Sequence, residues 1–176
     1  MPILNRIWAM PSADTFDIPP IGEFVKRYLS GVSVDPFARN KRWATHTNDL
    51  NPETEAECHM EARDFLKQLA DTGIKVDVVI FDPPYSAQQI KEMYKGFGKK
   101  HWSFQEHEEL GRWREEKRIA CELLKTGGIF LHFGWHTNGV GRKRGFDILE
   151  ILMVAHGGVR HDTLCMAEQK RQGTLF

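Results

Sequence analysis

Three apolar runs divide the chain, and each is followed by a polar or proline-containing segment. Val32-Ser33-Val34 leads into Asp35-Pro36, and residues 76–81 (VDVVIF) lead into Asp82-Pro83-Pro84; residues 128–135 (GIFLHFGW) form the third run. Strands of a parallel sheet are covered on both faces, so they show continuous rather than alternating apolarity. The pattern therefore predicts three buried parallel strands.

Apolar residues at helical spacing separate these runs. The spacing predicts helices after Pro19-Pro20 (through residues 24–29), over residues 62–69, and from about Phe104 to Leu124. A turn at Gly127-Gly128 is expected to introduce the third strand. Strands that alternate with helices indicate βαβ units with right-handed crossovers.

The last part of the chain has a different pattern. Residues 146–155 (FDILEILMVA) and 159–170 flank His156-Gly157-Gly158, and two apolar runs joined by a Gly-Gly turn predict an antiparallel hairpin. The expected fold is therefore α/β, with a mostly parallel sheet that ends in an antiparallel hairpin. A length of 176 residues, without repeats or linkers, predicts one domain over residues 1–176.

Composition narrows the possible classes of protein. No apolar run approaches the roughly 20 residues that a membrane span needs, and residues 1–10 lack the apolar core of a secretory signal. The three cysteines are far apart and odd in number, which predicts thiols in a reducing cytoplasm rather than disulfides or a zinc site. The formal net charge is zero, so nucleic-acid binding would depend on local basic patches or on a partner.

The strongest chemical signal is Asp82-Pro83-Pro84-Tyr85, directly after the VDVVIF run. Ligands of open α/β sheets bind beyond the carboxyl ends of the strands, where this tetrapeptide is expected to lie. The Asp82 carboxylate and the Pro83 carbonyl can each accept an N–H from an exocyclic amine. Tyr85 offers a flat face on which a base can stack, and a base taken from a duplex would have to be flipped out.

This tetrapeptide and its position resemble the class I S-adenosylmethionine-dependent amino-methyltransferases, in particular the small DNA adenine-N6 and cytosine-N4 enzymes with a [DNS]-P-P-[YFW] motif. The resemblance extends from about residue 8 to residue 170. It implies a Rossmann-like fold with a seven-stranded, mostly parallel sheet. It also implies S-adenosylmethionine as the cofactor and Asp82, Pro83, Pro84 and Tyr85 as the catalytic residues.

Further segments resemble the cofactor motifs of that family. Residues 34–38 (VDPFA) resemble its first motif, Asp49-Leu50 resembles the segment with the acidic residue that holds the ribose, and Asp64 resembles a position beside the cofactor adenine. Residues 13–16 (ADTF) resemble the segment that closes over the methionine moiety. The resemblance thus implies a cofactor site that comprises Phe16, Asp35, Pro36, Phe37, Ala38, Asp49, Leu50, Asp64 and Asp82.

Two features depart from the family pattern. The first motif is expected to continue with glycines, but this chain has Arg39, Asn40 and Lys41. Glycines let the backbone approach a ligand closely, so the loop is expected to bend differently. The chain also has no insertion or tail long enough for a target-recognition domain, which suggests that a homodimer or a partner contributes specificity.

Two basic segments are candidates for nucleic-acid contact. One follows the tetrapeptide and interleaves lysines with aromatic residues, and the other is the Gly-rich stretch 138–144 (NGVGRKR). The predicted contact residues are Lys91, Lys95, Lys99, Lys100, Trp102, Arg142, Lys143 and Arg144. No metal site is predicted, since His132 and His136 lie along a strand, where a core or cleft-edge role is expected; Trp8, Trp43 and Trp113 are expected in the core.

The sequence therefore predicts methyl transfer from S-adenosylmethionine to an exocyclic amino nitrogen of a nucleic-acid base, with adenine N6 in DNA as the favoured target. One alternative keeps this chemistry on an RNA base or a protein amide. The other is a catalytically inactive accessory subunit, suggested by the missing glycines near Arg39.

Overall fold

The computed structural model describes residues 1–86, 88–89, 113–158 and 160–172. Its seven strands form one sheet with the order β1-β6-β7-β5-β4-β2-β3. Pairing is parallel throughout this sheet except at β7, which runs antiparallel to both β5 and β6. The strands are β1 (Ile3–Trp8), β2 (Ser33–Asp35), β3 (His46–Thr47), β4 (Val76–Phe81), β5 (Leu124–Gly134), β6 (Phe146–Ala155) and β7 (Thr163–Lys170).

Within the described residues, three α-helices of eight or more residues flank the sheet: α1 (Pro19–Tyr28), α2 (Ala62–Asp71) and α3 (Arg114–Leu123). Proline opens α1, where its missing N–H has no helical partner to lose. Gly73 follows α2 at a φ of 74°, a left-handed conformation that ends helices readily. No helix among the described residues has the length and apolarity needed to cross a membrane.

The residues of β4 alternate between two hydrophobic clusters, one on each face of the sheet. Val79 and Phe81 pack with α2 and α3, whereas Val78 and Ile80 pack with α1. Side chains of a strand alternate between the two faces, so burial on both faces accounts for the continuous apolar run. The prediction of buried parallel strands is confirmed for β2, β4 and β5.

Some predicted boundaries were wrong. The third strand begins at Leu124 rather than Gly128, and Gly127-Gly128 lies within β5, beside an irregular stretch of its pairing with β4. The hairpin is confirmed, but its second strand begins at Thr163. Residues 114–123 confirm the end of the third predicted helix; its first part lies outside the described residues.

The sequence did not predict β1, which is an edge strand whose six residues are all exposed. Trp8 was expected in the core, but it is 62% exposed at the end of this strand. The error arose because β1 pairs with β6 across a large separation in sequence, and its own mixed pattern (ILNRIW) marks neither face as buried.

Candidate active site at the carboxyl edge of the sheet

The predicted acidic residues follow three neighbouring strands that end at one edge of the sheet. Asp35 is the last residue of β2, Asp49 lies two residues after β3, and Asp82 follows β4. Burial raises the pKa of Asp35 well above its usual range, and the negative charges of Asp82 and Asp49 add to this effect. The three carboxyl groups are therefore close enough to influence one another.

A cavity of about 370 Å³ lies beside these residues, and we call it the Asp49 cavity. It combines acidic, aromatic and hydroxyl side chains from four separate segments of the chain. Its lining residues are Ala13, Thr15, Phe37, Arg39, Asp49, Asn51, Thr54, Asp82, Pro83, Pro84, Tyr85 and Gln89.

Backbone amides hold the Asp49 carboxylate in place. Oδ1 accepts a hydrogen bond from the Asn51 N–H at 2.9 Å, and Oδ2 accepts one from the Arg39 N–H at 3.0 Å. A carboxylate oxygen can accept more than one hydrogen bond. Asp49 is therefore oriented by its own loops and still has acceptor capacity toward the cavity that it lines.

Arg39 occupies the place where the family pattern has a glycine. Its φ is 50°, which is in the left-handed region that glycine favours. The Arg39 side chain donates to the Ala13 carbonyl at 2.7 Å and pairs with Asp14 at 3.1 Å. The loop thus keeps a glycine-like backbone turn, while the guanidinium ties residues 13–14 to the rim of the Asp49 cavity.

Asp82 and Tyr85 are joined directly, because the Tyr85 hydroxyl donates a hydrogen bond to Asp82 Oδ1. Burial raises the pKa of Asp82 to about 6, against the lowering effects of Tyr85 and Thr15. Burial and the neighbouring carboxylate also raise the pKa of Tyr85 well above its usual range, so its hydroxyl remains a donor. The Trp113 indole N–H donates to the Pro84 carbonyl at 3.3 Å and links the start of α3 to this turn.

A second cavity, of about 400 Å³, lies on the other side of the tetrapeptide, and we call it the Lys117 cavity. Pro83, Pro84 and Tyr85 line this cavity as well as the Asp49 cavity. The titratable groups among its described lining residues, apart from Tyr85, are all basic: Arg114, Lys117, His132, His136, Lys143 and Arg144.

Lys117 and His132 form a buried pair in the wall of this cavity, with exposed fractions of 7% and 2%. Lys117 Nζ lies 2.9 Å from the Asn138 carbonyl and 3.3 Å from His132 Nε2. The His132 ring stacks between Phe81 and His136. His132 Nδ1 is buried and has no hydrogen-bond partner within the described part of the chain.

Glu168 of β7 fixes the Gly-rich loop that forms the outer wall of the Lys117 cavity. Its carboxylate accepts from the backbone N–H groups of Val140 at 2.6 Å and Gly141 at 2.9 Å. These bonds leave Lys143 and Arg144 exposed at the cavity. Arg142 does not line it and lies 3.8 Å from Asp147 instead.

The structure does not bring every predicted cofactor residue to the cavity lining. Asp64 is exposed in the first turn of α2, and Leu50 packs against the hydrophobic core. Phe16 is buried against Trp43 and Phe133, although Thr15 before it does line the cavity. Asp35, Pro36 and Ala38 are buried behind the lining rather than part of it.

The other predicted nucleic-acid contacts belong to the segment that follows the tetrapeptide in the sequence. Lys91, Lys95, Lys99, Lys100 and Trp102 lie outside the described residues. The predictions that concern them remain predictions.

Sequence reasoning missed Lys117 altogether. Its signal was nevertheless present, because Lys117 lies four residues after Trp113 and three before Ala120, on the apolar face of α3. A lysine in the middle of an apolar helix face is rarely buried without a partner. His132 was placed in the core or at a cleft edge, and the structure places it in the cavity wall.

Comparison with solved structures shows which fold this is. TrmN from Thermus thermophilus superposes with a TM-score of 0.55 at 15% identity, covering 87% of this chain and 49% of that one. NSun6 from Pyrococcus horikoshii, solved with SFG, gives 0.52 at 14% identity, covering 79% and 47%. A candidate SAM-dependent methyltransferase from Streptococcus mutans gives 0.51 at 13% identity, covering 84% and 47%.

These likenesses show that the chain has the predicted Rossmann-like methyltransferase fold, with its C-terminal antiparallel hairpin. The chain spans about half the length of these solved structures. No protein-family model matches it, and comparison with curated proteins gives no match.

Proposed function

We propose that this protein transfers the methyl group of S-adenosylmethionine to an exocyclic amino nitrogen of a nucleic-acid base, with adenine N6 in DNA as the favoured target. The observation that carries the proposal is the position of Pro83, Pro84 and Tyr85 between two cavities. A group-transfer enzyme must bring its donor and its acceptor into contact at its reacting residues, and these residues border both cavities.

The Asp49 cavity suits the cofactor. Its volume of about 370 Å³ falls within the usual range of small-molecule sites, roughly 300–1,000 Å³. Asp49 has acceptor capacity for the vicinal hydroxyls of a ribose, and Phe37 offers an apolar surface. The likeness to a Streptococcus mutans protein described as SAM-dependent adds support.

The reacting residues suit an amine as the acceptor. When bound, S-adenosylmethionine supplies a methyl carbon already activated by a sulfonium group. Asp82 and the Pro83 carbonyl accept N–H bonds from the amine and thereby orient its nitrogen lone pair. With a pKa raised to about 6, Asp82 is ionised at neutral pH and can take up the proton that the methylated nitrogen releases.

The Lys117 cavity favours nucleic acid over a protein substrate. The chain has zero net charge, yet the lining of this cavity is rich in basic residues. The cavity also borders the tetrapeptide, where the methyl acceptor must bind. Phosphates next to a flipped base would meet Lys143 and Arg144 at the rim. Methyltransferases of the resembled family that act on protein amides favour asparagine before Pro-Pro-Tyr, so Asp82 also favours a base.

The test is transfer of a labelled methyl group to separate pools of duplex DNA, single-stranded DNA and structured RNA. Each pool is then digested to nucleosides, and the products are identified by mass spectrometry. We expect N6-methyldeoxyadenosine in the DNA pools with the wild-type protein and none with Asp82→Ala. Calorimetric titration of S-adenosylmethionine into both proteins is the matched control, because Asp82 also lines the Asp49 cavity and a loss of cofactor binding must be distinguished from a loss of methyl transfer.

The outcomes separate the alternatives. Label confined to RNA would overturn the choice of DNA, and label on cytosine would overturn the choice of adenine. A folded wild-type protein that neither binds the cofactor nor transfers label would instead favour the inactive accessory subunit.

A further inference from the structure

The polar groups that line the Lys117 cavity are chiefly hydrogen-bond donors. Lys117 is the most buried of the cations among its described lining residues, and it lies on the cavity wall nearest to β4 and β5. Lys117 Nζ is 5.8 Å from the centre of the Phe81 ring, and Phe81 pairs with His132 across the two strands. Pro83, Pro84 and Tyr85 line the Lys117 cavity together with Lys117, so its ammonium group shares this cavity with three residues of the tetrapeptide.

The hydrogen bonds of the pair fix which nitrogen of His132 carries the proton. An ammonium group has three protons to donate and no lone pair. Lys117 therefore donates to the Asn138 carbonyl and to His132 Nε2, which makes Nε2 the acceptor. The proton of the neutral ring then lies on Nδ1, the buried atom without a described partner.

We propose that Lys117, oriented by His132 and the Asn138 carbonyl, donates a hydrogen bond to the ring nitrogen beside the target amino group, which in adenine is N1. This inference rests on the proposed function and names the group that reads the base. The amino group of adenine is a donor and the adjacent N1 is an acceptor. Asp82 and Lys117 present the complementary acceptor and donor.

The ionisation of Lys117 supports this role. Burial lowers its pKa to about 8, partly offset by Glu168 of β7. Arg144 lowers the pKa further, Cys121 of α3 raises it, and His132 of β5 is neutral because burial and Lys117 depress its own pKa. Lys117 is thus charged at pH 7 and loses its charge as the pH rises through about 8.

The experiment measures binding of deoxyadenosine monophosphate to the whole protein, with S-adenosylhomocysteine at saturation to fill the Asp49 cavity. Two analogues replace a single ring nitrogen by carbon: 1-deaza at the proposed contact and 7-deaza away from it. The variants are Lys117→Met and Arg118→Met. Each removes one positive charge, and Arg118 lies on the exposed face of α3, paired with Glu115 and Glu122.

We expect Lys117→Met to weaken nucleotide binding about tenfold and Arg118→Met to change it less than twofold. The wild-type protein should lose a similar factor with the 1-deaza analogue but not with the 7-deaza analogue. In Lys117→Met, replacing N1 by carbon should not lower the nucleotide affinity any further. Such coupling between the Lys117 side chain and N1 would not arise if the lysine only stabilised the 138–141 loop. Wild-type affinity should also fall between pH 7 and 9.5, and that of Lys117→Met should not.

Equal binding of the two deaza analogues by the wild-type protein overturns the inference, and this result needs no variant to fold. Binding of S-adenosylhomocysteine without any nucleotide binding also overturns it, but leaves the proposed cofactor site standing. Absence of S-adenosylhomocysteine binding counts against the proposed function itself, while the nucleotide measurements still decide the role of Lys117.

Discussion

The two cavities share one wall but differ in charge and in origin. The Asp49 cavity combines carboxylates with Arg39 and is built mainly from the turns that follow β2, β3 and β4. The Lys117 cavity is lined by six basic side chains from α3, the end of β5 and the loop beyond it. A net charge of zero therefore conceals an uneven distribution, and only the local charge at each cavity indicates what it would bind.

The shared wall makes this comparison testable. A change in Asp82, the residue before the shared wall, should slow the reaction more than it weakens binding in either cavity. Changes on one side should affect one ligand and spare the other.

The largest effect is expected for Asp82→Asn, which should lower the rate of methyl transfer about 10²- to 10³-fold. The asparagine amide can still hold the amine, but it lacks the negative charge of the carboxylate. Single-turnover methylation measures the rate. The exposed Asp71→Asn at the end of α2 is the matched control and should leave it unchanged. The melting temperature of Asp82→Asn should not fall, since the raised pKa of Asp82 shows that its charged form is disfavoured in the folded protein.

A smaller effect, on one cavity only, is expected for Asp49→Ala. It should weaken binding of S-adenosylmethionine about 10- to 100-fold, because two ribose hydroxyls lose a charged acceptor. Calorimetry measures the affinity, with Asp64→Ala as the comparison. Equal losses in the two variants would show that the sequence-based assignment of Asp64 was right and that the cavity lining is misleading.

The pH dependence of the reaction should report on Asp82, the residue before the shared wall. Asp82 must be ionised to take up the proton that the methylated nitrogen releases, and its pKa is about 6. The rate should therefore be constant above this pH and fall about tenfold for each unit below it. Single-turnover rates between pH 5 and 8 measure the profile, and a rate that stays constant down to pH 5 would contradict the assigned role.

A moderate effect is expected at the rim of the Lys117 cavity. Lys143→Met and Arg144→Met should each weaken DNA binding several-fold. Each should also reduce the slope of log affinity against log salt concentration by about 1, because one phosphate contact is lost. Fluorescence anisotropy at several salt concentrations measures both. Arg142→Met, on the same loop but paired with Asp147, should change them less, and cofactor affinity should be the same in all three variants.

The smallest effect concerns the loop of the Asp49 cavity. Arg39→Gly and Arg39→Ala both remove the contacts with Ala13 and Asp14, but only glycine suits a φ of 50°. The free energy of unfolding should therefore be about 1 kcal/mol lower in the alanine variant than in the glycine variant. Urea denaturation measures it, and equal stabilities would show that the backbone relaxes at this position.

Much of the fold followed from the sequence because its main elements have local causes. Burial on both faces gave β4 its continuous apolar run, and Pro19-Pro20 marked the start of α1. The tetrapeptide was located for the same reason, since a motif directly after a buried strand must lie at the carboxyl edge of a parallel sheet. The edge strand β1 was not predicted, because its pairing with β6 is not reflected in the order of its own apolar and polar residues.

The sequence by itself determined the type of sheet, its C-terminal hairpin and the position of Asp82 after β4. Only the tertiary structure decided that Pro83, Pro84 and Tyr85 border two cavities, that Asp64 lines neither of them, and that Lys117 meets His132. Hydrophobic periodicity specifies which face of an element is buried. It does not specify which residues from distant segments face each other there, because that depends on how the helices and strands pack together.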